Sequence, residues 1–125
     1  MKHLRKYNEK LTDEVALKII HKHEIEELCI HIKDEVNKVK IESNGVSSDG
    51  KEFCYNIDIQ FNRDNISIDK VIDNAEKMLD MTKEFAELLL KLEDMEYKVT
   101  YYSLQTSQHL QFYGLTGKIQ LLKIN

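Results

Sequence analysis

Proline and tryptophan are absent from this chain, and glycine occurs only four times in 125 residues. Without proline there is no rigid turn or fixed kink, and with so little glycine few turns can demand left-handed backbone. Most of the chain is therefore expected in regular structure joined by polar connections. Cysteine is scarce too. Cys29 and Cys54 have no C-x-x-C spacing, which argues against a disulfide framework or thiolate metal knuckle and for buried, reduced thiols. No apolar run approaches the roughly 20 residues of a membrane-spanning helix, and the charged start carries no apolar leader segment. A cytoplasmic setting without membrane contact is the expectation.

What is present suits one globular domain. Hydrophobic residues make up 42% and charged residues 32%, well away from the composition of disordered chains. The formal charge of −4 opposes general affinity for phosphate backbones, so nucleic-acid binding would need a local basic patch. Residues 1–10 supply one candidate, a basic N-terminal arm with Lys2, Arg5, Lys6 and Lys10 against Glu9.

The strongest periodicity lies in residues 67–95. Val71, Ala75, Met78, Thr82, Phe85, Leu89 and Leu92 alternate steps of four and three, with Ile68, Ile72, Leu79 and Ala86 widening the stripe. This predicts a long amphipathic helix capped by Ser67, with a staple between Ile66 and Val71. At its far end Glu93, Asp94 and Glu96 oppose the dipole and no glycine offers a left-handed cap, so fraying is expected. Such a rod, on the order of 40 Å long, would overhang a sheet of ordinary strands. Met81, Leu88, Leu90 and Met95 fall outside the stripe; another helix of the chain or a homodimer contact would cover them.

Residues 12–37 are helical in pattern but interrupted. Leu11, Val15 and Ile19 share a face, and the register then slips over the polar run His21-Lys22-His23-Glu24. One helix kinked near His23, or two segments with the second starting at Glu24, both fit. From Val39 the period becomes two. Val39 and Ile41, then Phe53, Tyr55, Ile57, Ile59 and Phe61, define two strands joined by a turn-rich segment into a hairpin with a mobile tip. Tyr97, Val99 and Tyr101 begin a third strand, and residues 110–124 suggest one or two more, turned by Gly114-Leu115-Thr116-Gly117. No repeat is visible. The order α-β-β-α-β-β predicts an α+β fold, an antiparallel sheet of about four strands with helices on one face.

Candidate chemistry is sparse. His23, Glu27 and His31 are spaced by four and form a helical stripe that could offer metal ligands, but one helix face presents few convergent ligands and no second cluster joins it. A solvated polar face is the favoured reading. Asp58, with Asn56 and Gln60, is a lone strand carboxylate without a positioned base or nucleophile. No phosphate-cradling glycine loop is present, and no cofactor is expected. Between residues 97 and 113 aromatic and amide residues interleave. Tyr97, Tyr101, Tyr102, Gln108, Phe112 and Tyr113 combine flat apolar area with neutral hydrogen-bonding groups, a mixture that suits protein recognition or serves a core plus a decorated hairpin.

The opening, with Met1-Lys2, Leu4 and Lys6-Tyr7-Asn8-Glu9, resembles the start of many short uncharacterised proteins encoded by large tailed bacteriophages and their hosts. So does the layout of Val39-Lys40-Ile41, Tyr55-Asn56-Ile57-Asp58-Ile59 and a helix opened by Ile68-Asp69-Lys70-Val71-Ile72-Asp73. The resemblance spans roughly residues 1–90 and implies a phage-type accessory protein, a class that includes inhibitors of host proteins such as bacterial immunity components. It transfers no catalytic residue. The expectation is a non-catalytic interaction protein with a protein partner; single-stranded nucleic-acid binding and metal or small-ligand binding are the alternatives.

Overall fold

A computed structural model describes residues 2–36, 38–64, 68–109 and 112–124, with the side chains of 2–12, 35, 63, 64, 68, 71, 107–109, 112 and 113 outside the description. The helices are α1 (Lys2–Leu28), α2 (Ile30–Glu35) and α3 (Val71–Asp94), the last preceded by a 3-10 turn at Ile68–Lys70. The strands are β1 (Lys38–Val46), β2 (Glu52–Asp64), β3 (Tyr97–His109) and β4 (Phe112–Ile124). They form one antiparallel sheet in the order β1-β2-β4-β3. The class is α+β, with α-α-β-β-α-β-β as the element order. Each half is a helical segment followed by a hairpin, and the two hairpins meet through β2 and β4, so the architecture repeats where the sequence does not.

The alternating strands behave as their pattern predicts. Phe53, Tyr55, Ile57, Ile59 and Phe61 of β2 are buried, as are Leu115, Ile119 and Leu121 of β4. The intervening polar side chains point to the other face, where no helix packs among the described residues. The expected turn at residues 114–117 is a correction: Gly114 and Gly117 lie inside β4. Gly117 is there for space. A Cβ on it would stand 2.9 Å from the Phe85 ring of α3. The predicted hairpin tip is shorter and better bonded than expected, with the Glu52 amide donating to Ser47 Oγ at 3.0 Å and the Lys51 amide to Asp49 Oδ1 at 3.1 Å.

The long helix is real, but its dry face is rotated from the one expected. Asn74, Met81, Phe85, Leu88 and Leu92 are buried and Met78 is half-buried, whereas Ala75, Thr82 and Ala86 are exposed and Ile72 and Leu79 are 72% and 56% exposed. The expected dimer contact is corrected accordingly. Met81 and Leu88 belong to the chain's own core, and only Leu90 and Met95 remain on the surface. The helix does not overhang the sheet, because β2, β3 and β4 each have 13 residues, or about 43 Å at 3.3 Å per residue, which accommodates a 24-residue helix of about 36 Å. The Ser67 cap and the Ile66–Val71 staple lie outside the described residues.

The helix does stop cleanly. Glu96 adopts φ 65, the left-handed position usually given to glycine, and its amide donates to the Glu93 carbonyl at 2.9 Å. Lys123 Nζ donates to the Met95 carbonyl at 2.6 Å, supplying the cation that the helix's own last turn has only in Lys91.

In the first helical region residues 2–10, expected as an arm, continue α1 as its opening turns. The predicted break near His23 is corrected to Cys29, whose amide is shared between the carbonyls of Ile25 and Glu26. Leu17, His21, Ile25 and Leu28 face inward, while Val15, Ile19 and Ile20 are more than half exposed.

Two substitutions test this packing. Gly117→Ala should cost about 1–3 kcal/mol, since the Phe85 ring must leave its well-packed position, and chemical denaturation reads the loss. Glu96→Gly should stabilise by about 1 kcal/mol by relieving the left-handed residue, seen as a raised Tm; an unchanged Tm would show that the conformation carries no strain.

Candidate functional site

The run His21 to Glu24, read from sequence as an interruption, is the anchor of α1 on the sheet. His21 is 3% exposed, and its Nδ1 lies 2.7 Å from the Tyr55 hydroxyl of β2. Its ring meets Phe53, Tyr55 and Tyr97 edge-on at 5.1, 5.6 and 6.0 Å. One turn on, Glu24 accepts a 2.7 Å hydrogen bond from the Tyr97 hydroxyl of β3. Buried polar groups with partners are tolerated, so a pattern that looks polar in sequence presents an inward face. Burial pushes the Tyr55 hydroxyl up to about 12, and burial together with Glu24 raises that of Tyr97 further, so both hydroxyls stay protonated.

Seating α1 this way leaves a groove between it and β1, made of two adjoining cavities. The first, of about 410 Å³, is floored by Ile19, Ile41 and Tyr55 with Lys18 and Lys22 above. The second, of about 250 Å³, shares Lys22 and Ile41 and adds Val39, Cys29, Lys33 and Lys40. Four lysines and two glutamates, Glu26 and Glu42, therefore line it, Lys40 and Glu42 from the outer side of the β1 edge, on a protein whose overall charge is negative. Glu42 holds Lys40 at 2.8 Å, which lowers the carboxyl and raises the ammonium, so both remain charged. Cys29 is no nucleophile in this groove. Burial raises its thiol to about 12, so it stays protonated and packs as an apolar group.

The sequence-derived candidates do not gather. Tyr97 is 1% exposed and belongs to the core, a correction to its place in a recognition surface. Tyr101 and Tyr102 are 50% and 60% exposed, but as neighbours in β3 they point to opposite faces, and the register shift after Val99 sets Tyr101 opposite Gln120 on the uncovered face and Tyr102 opposite the buried Ile119. The side chains of Gln108, Phe112 and Tyr113 lie outside the described residues, while their backbone continues the β3–β4 pairing. His23 pairs with Glu27 at 3.1 Å on the solvent face, and His31 is exposed beyond the Cys29 break. Among the described residues no three metal-capable side chains converge. Asp58 sits on the uncovered sheet face, in register with Lys40 on one side and Lys118 on the other.

Sequence reasoning missed the groove because its parts, Lys18, Lys22, Lys33, Val39 and Ile41, are ordinary where they stand. The available signal was the surplus of apolar positions in α1, since Val15, Ile19 and Ile20 cannot share the inward face with Leu17 and Ile25. The chain matches no protein-family model, and no curated protein or solved structure matches it. No helix among the described residues is long and apolar enough to cross a membrane.

The buried hydroxyls and thiol carry a pH prediction. Cys29 and Tyr55 have folded pKa values raised from 9.0 and 10.0 to about 12. Above about pH 9 the unfolded chain sheds protons the folded chain retains, so stability is full below that pH and declines as pH rises towards 12. Urea unfolding at pH 7, 9, 10 and 11 should give falling midpoints. Tyr55→Phe should lose about 1–3 kcal/mol at pH 7 yet show a shallower alkaline decline; parallel declines would mean that Tyr55 does not contribute to it.

Proposed function

We propose that this is a non-catalytic interaction protein whose partner is another protein, held in the groove between α1 and β1. The observation that carries this reading is the pairing of an apolar floor with a rim of four lysines on an acidic molecule. Binding surfaces derive affinity from apolar anchors and selectivity from complementary charge, and this groove supplies both. The partner's matching surface is then acidic with apolar anchors. The phage-type resemblance fits such a role, that of a small protein acting by occupying a host protein.

A second reading concerns the uncovered sheet face. Lys38, Lys40, Lys98 and Lys118 lie there with Tyr101, Gln60 and Gln120, against the carboxylates of Asp58 and Glu42, an arrangement in which a single nucleic-acid strand could track the lysines and stack on one ring. It would appear as oligonucleotide binding that weakens steeply with salt and falls on Lys118→Glu.

The two readings separate by charge reversal. In affinity capture from the native host with mass spectrometry, Lys22→Glu combined with Lys33→Glu should lose the protein recovered by the unaltered chain, while Lys118→Glu keeps it. Equal recovery by the groove variant would exclude the groove.

A further inference from the structure

We propose that the partner enters the groove as an extended acidic segment, which adds to the sheet as a fifth strand along β1. This rests on the groove reading above and goes beyond it by specifying the conformation and chemistry of the bound segment. The sheet order puts β1 at an edge, so among the described residues no strand lies beside the alternate backbone N–H and C=O groups on its outer side. The cavities lie at that edge. Successive side chains of a strand point to opposite faces, yet the first cavity touches Ile41, Glu42 and Ser43 in succession and the second Val39, Lys40 and Ile41. A cavity lined by consecutive residues of a strand meets its backbone or both of its faces, and so runs along its edge; an edge with a groove beside it is the geometry of strand addition.

The lining then sets the sequence of the guest. Its inward side chains would lie on Val39, Ile41 and Ile19 beneath Lys18, Lys22 and Lys33, and its outward ones would stand beside Lys38 and Lys40. An apolar-in, acidic-out alternation satisfies both rows. The same lysines repel basic strands and blunt pairing with neutral ones, so the edge selects by charge.

The probe is a short fluorescent peptide alternating valine and glutamate, titrated into the full chain by anisotropy. The peptide should bind, its valine-lysine counterpart should bind at least about tenfold more weakly, and Lys22→Glu with Lys40→Glu should reduce acidic-peptide binding about tenfold. Strand addition also predicts an alternation. Methylating the peptide nitrogens that face β1 should abolish binding while methylating the other set leaves it intact, and amide exchange of residues 39–43 should slow on binding. Equal binding by both methylated peptides, or by an acidic helical peptide with no slowed exchange, overturns strand addition while leaving the groove as a docking site. Equal affinity for acidic and basic peptides, unmoved by the lysine variants, overturns both. A dimer in light scattering with residues 39–43 protected without peptide would mean that a second copy takes the edge, and overturns the proposal.

Discussion

The arrangement depends on one buried contact, the His21 ring held against the Tyr55 hydroxyl and framed by Phe53 and Tyr97. An imidazole at 3% exposure needs its hydrogen-bonding capacity used, and β2 supplies a partner on the sheet's inner face. With the Glu24 to Tyr97 bond one turn later, α1 is fixed in rotation and in height on the strands. Ile25 and Cys29 then complete the core beneath it, and Ile19 and Lys22 are left on the side facing β1. The groove is thus a consequence of how α1 is pinned.

The rest of the molecule is a two-layer structure with unequal faces. All helices lie on one side of the sheet, and α3 spans most of its length, burying Met81, Phe85, Leu88 and Leu92, each worth about 1.5–3 kcal/mol in apolar transfer. The halves are built alike, a helical segment and then a hairpin, but their outer edges differ. The β3 edge joins the long hairpin with β4, and its residues beyond Val99 are displaced by the register shift. The β1 edge is shorter, carries Lys38 and Lys40, and is the one beside the groove. Function in this reading is an asymmetry between two otherwise similar halves.

Much of the fold was legible because it follows from alternation. The β2 pattern from Phe53 to Phe61 has one solution, since a slip by one residue would expose five large apolar side chains. The α3 helix was equally legible as a helix but not in its rotation. Ile72, Ala75 and Leu79 flank Met78 and Phe85 on one side, Met81 and Leu88 on the other, so periodicity admits two adjacent stripes that share Met78, Phe85 and Leu92, and packing on the strands chose the second. The first helix misled for the opposite reason. Its inward face includes His21 and Glu24, which hydropathy counts as outward, and partners at Tyr55 and Tyr97, 34 and 73 residues away, reverse that count.

By itself the sequence determined the long third helix, the strands from Val39 and Phe53 and the α+β class, because these rest on the spacing of apolar residues along a single segment. The tertiary structure alone decided which helix faces are dry, that Tyr97 is core rather than surface, and that lysines from α1, α2 and β1 edge a common groove. These depend on groups distant in the chain meeting in space, and no local pattern records a hydrogen bond formed across the sheet or the free edge of a strand.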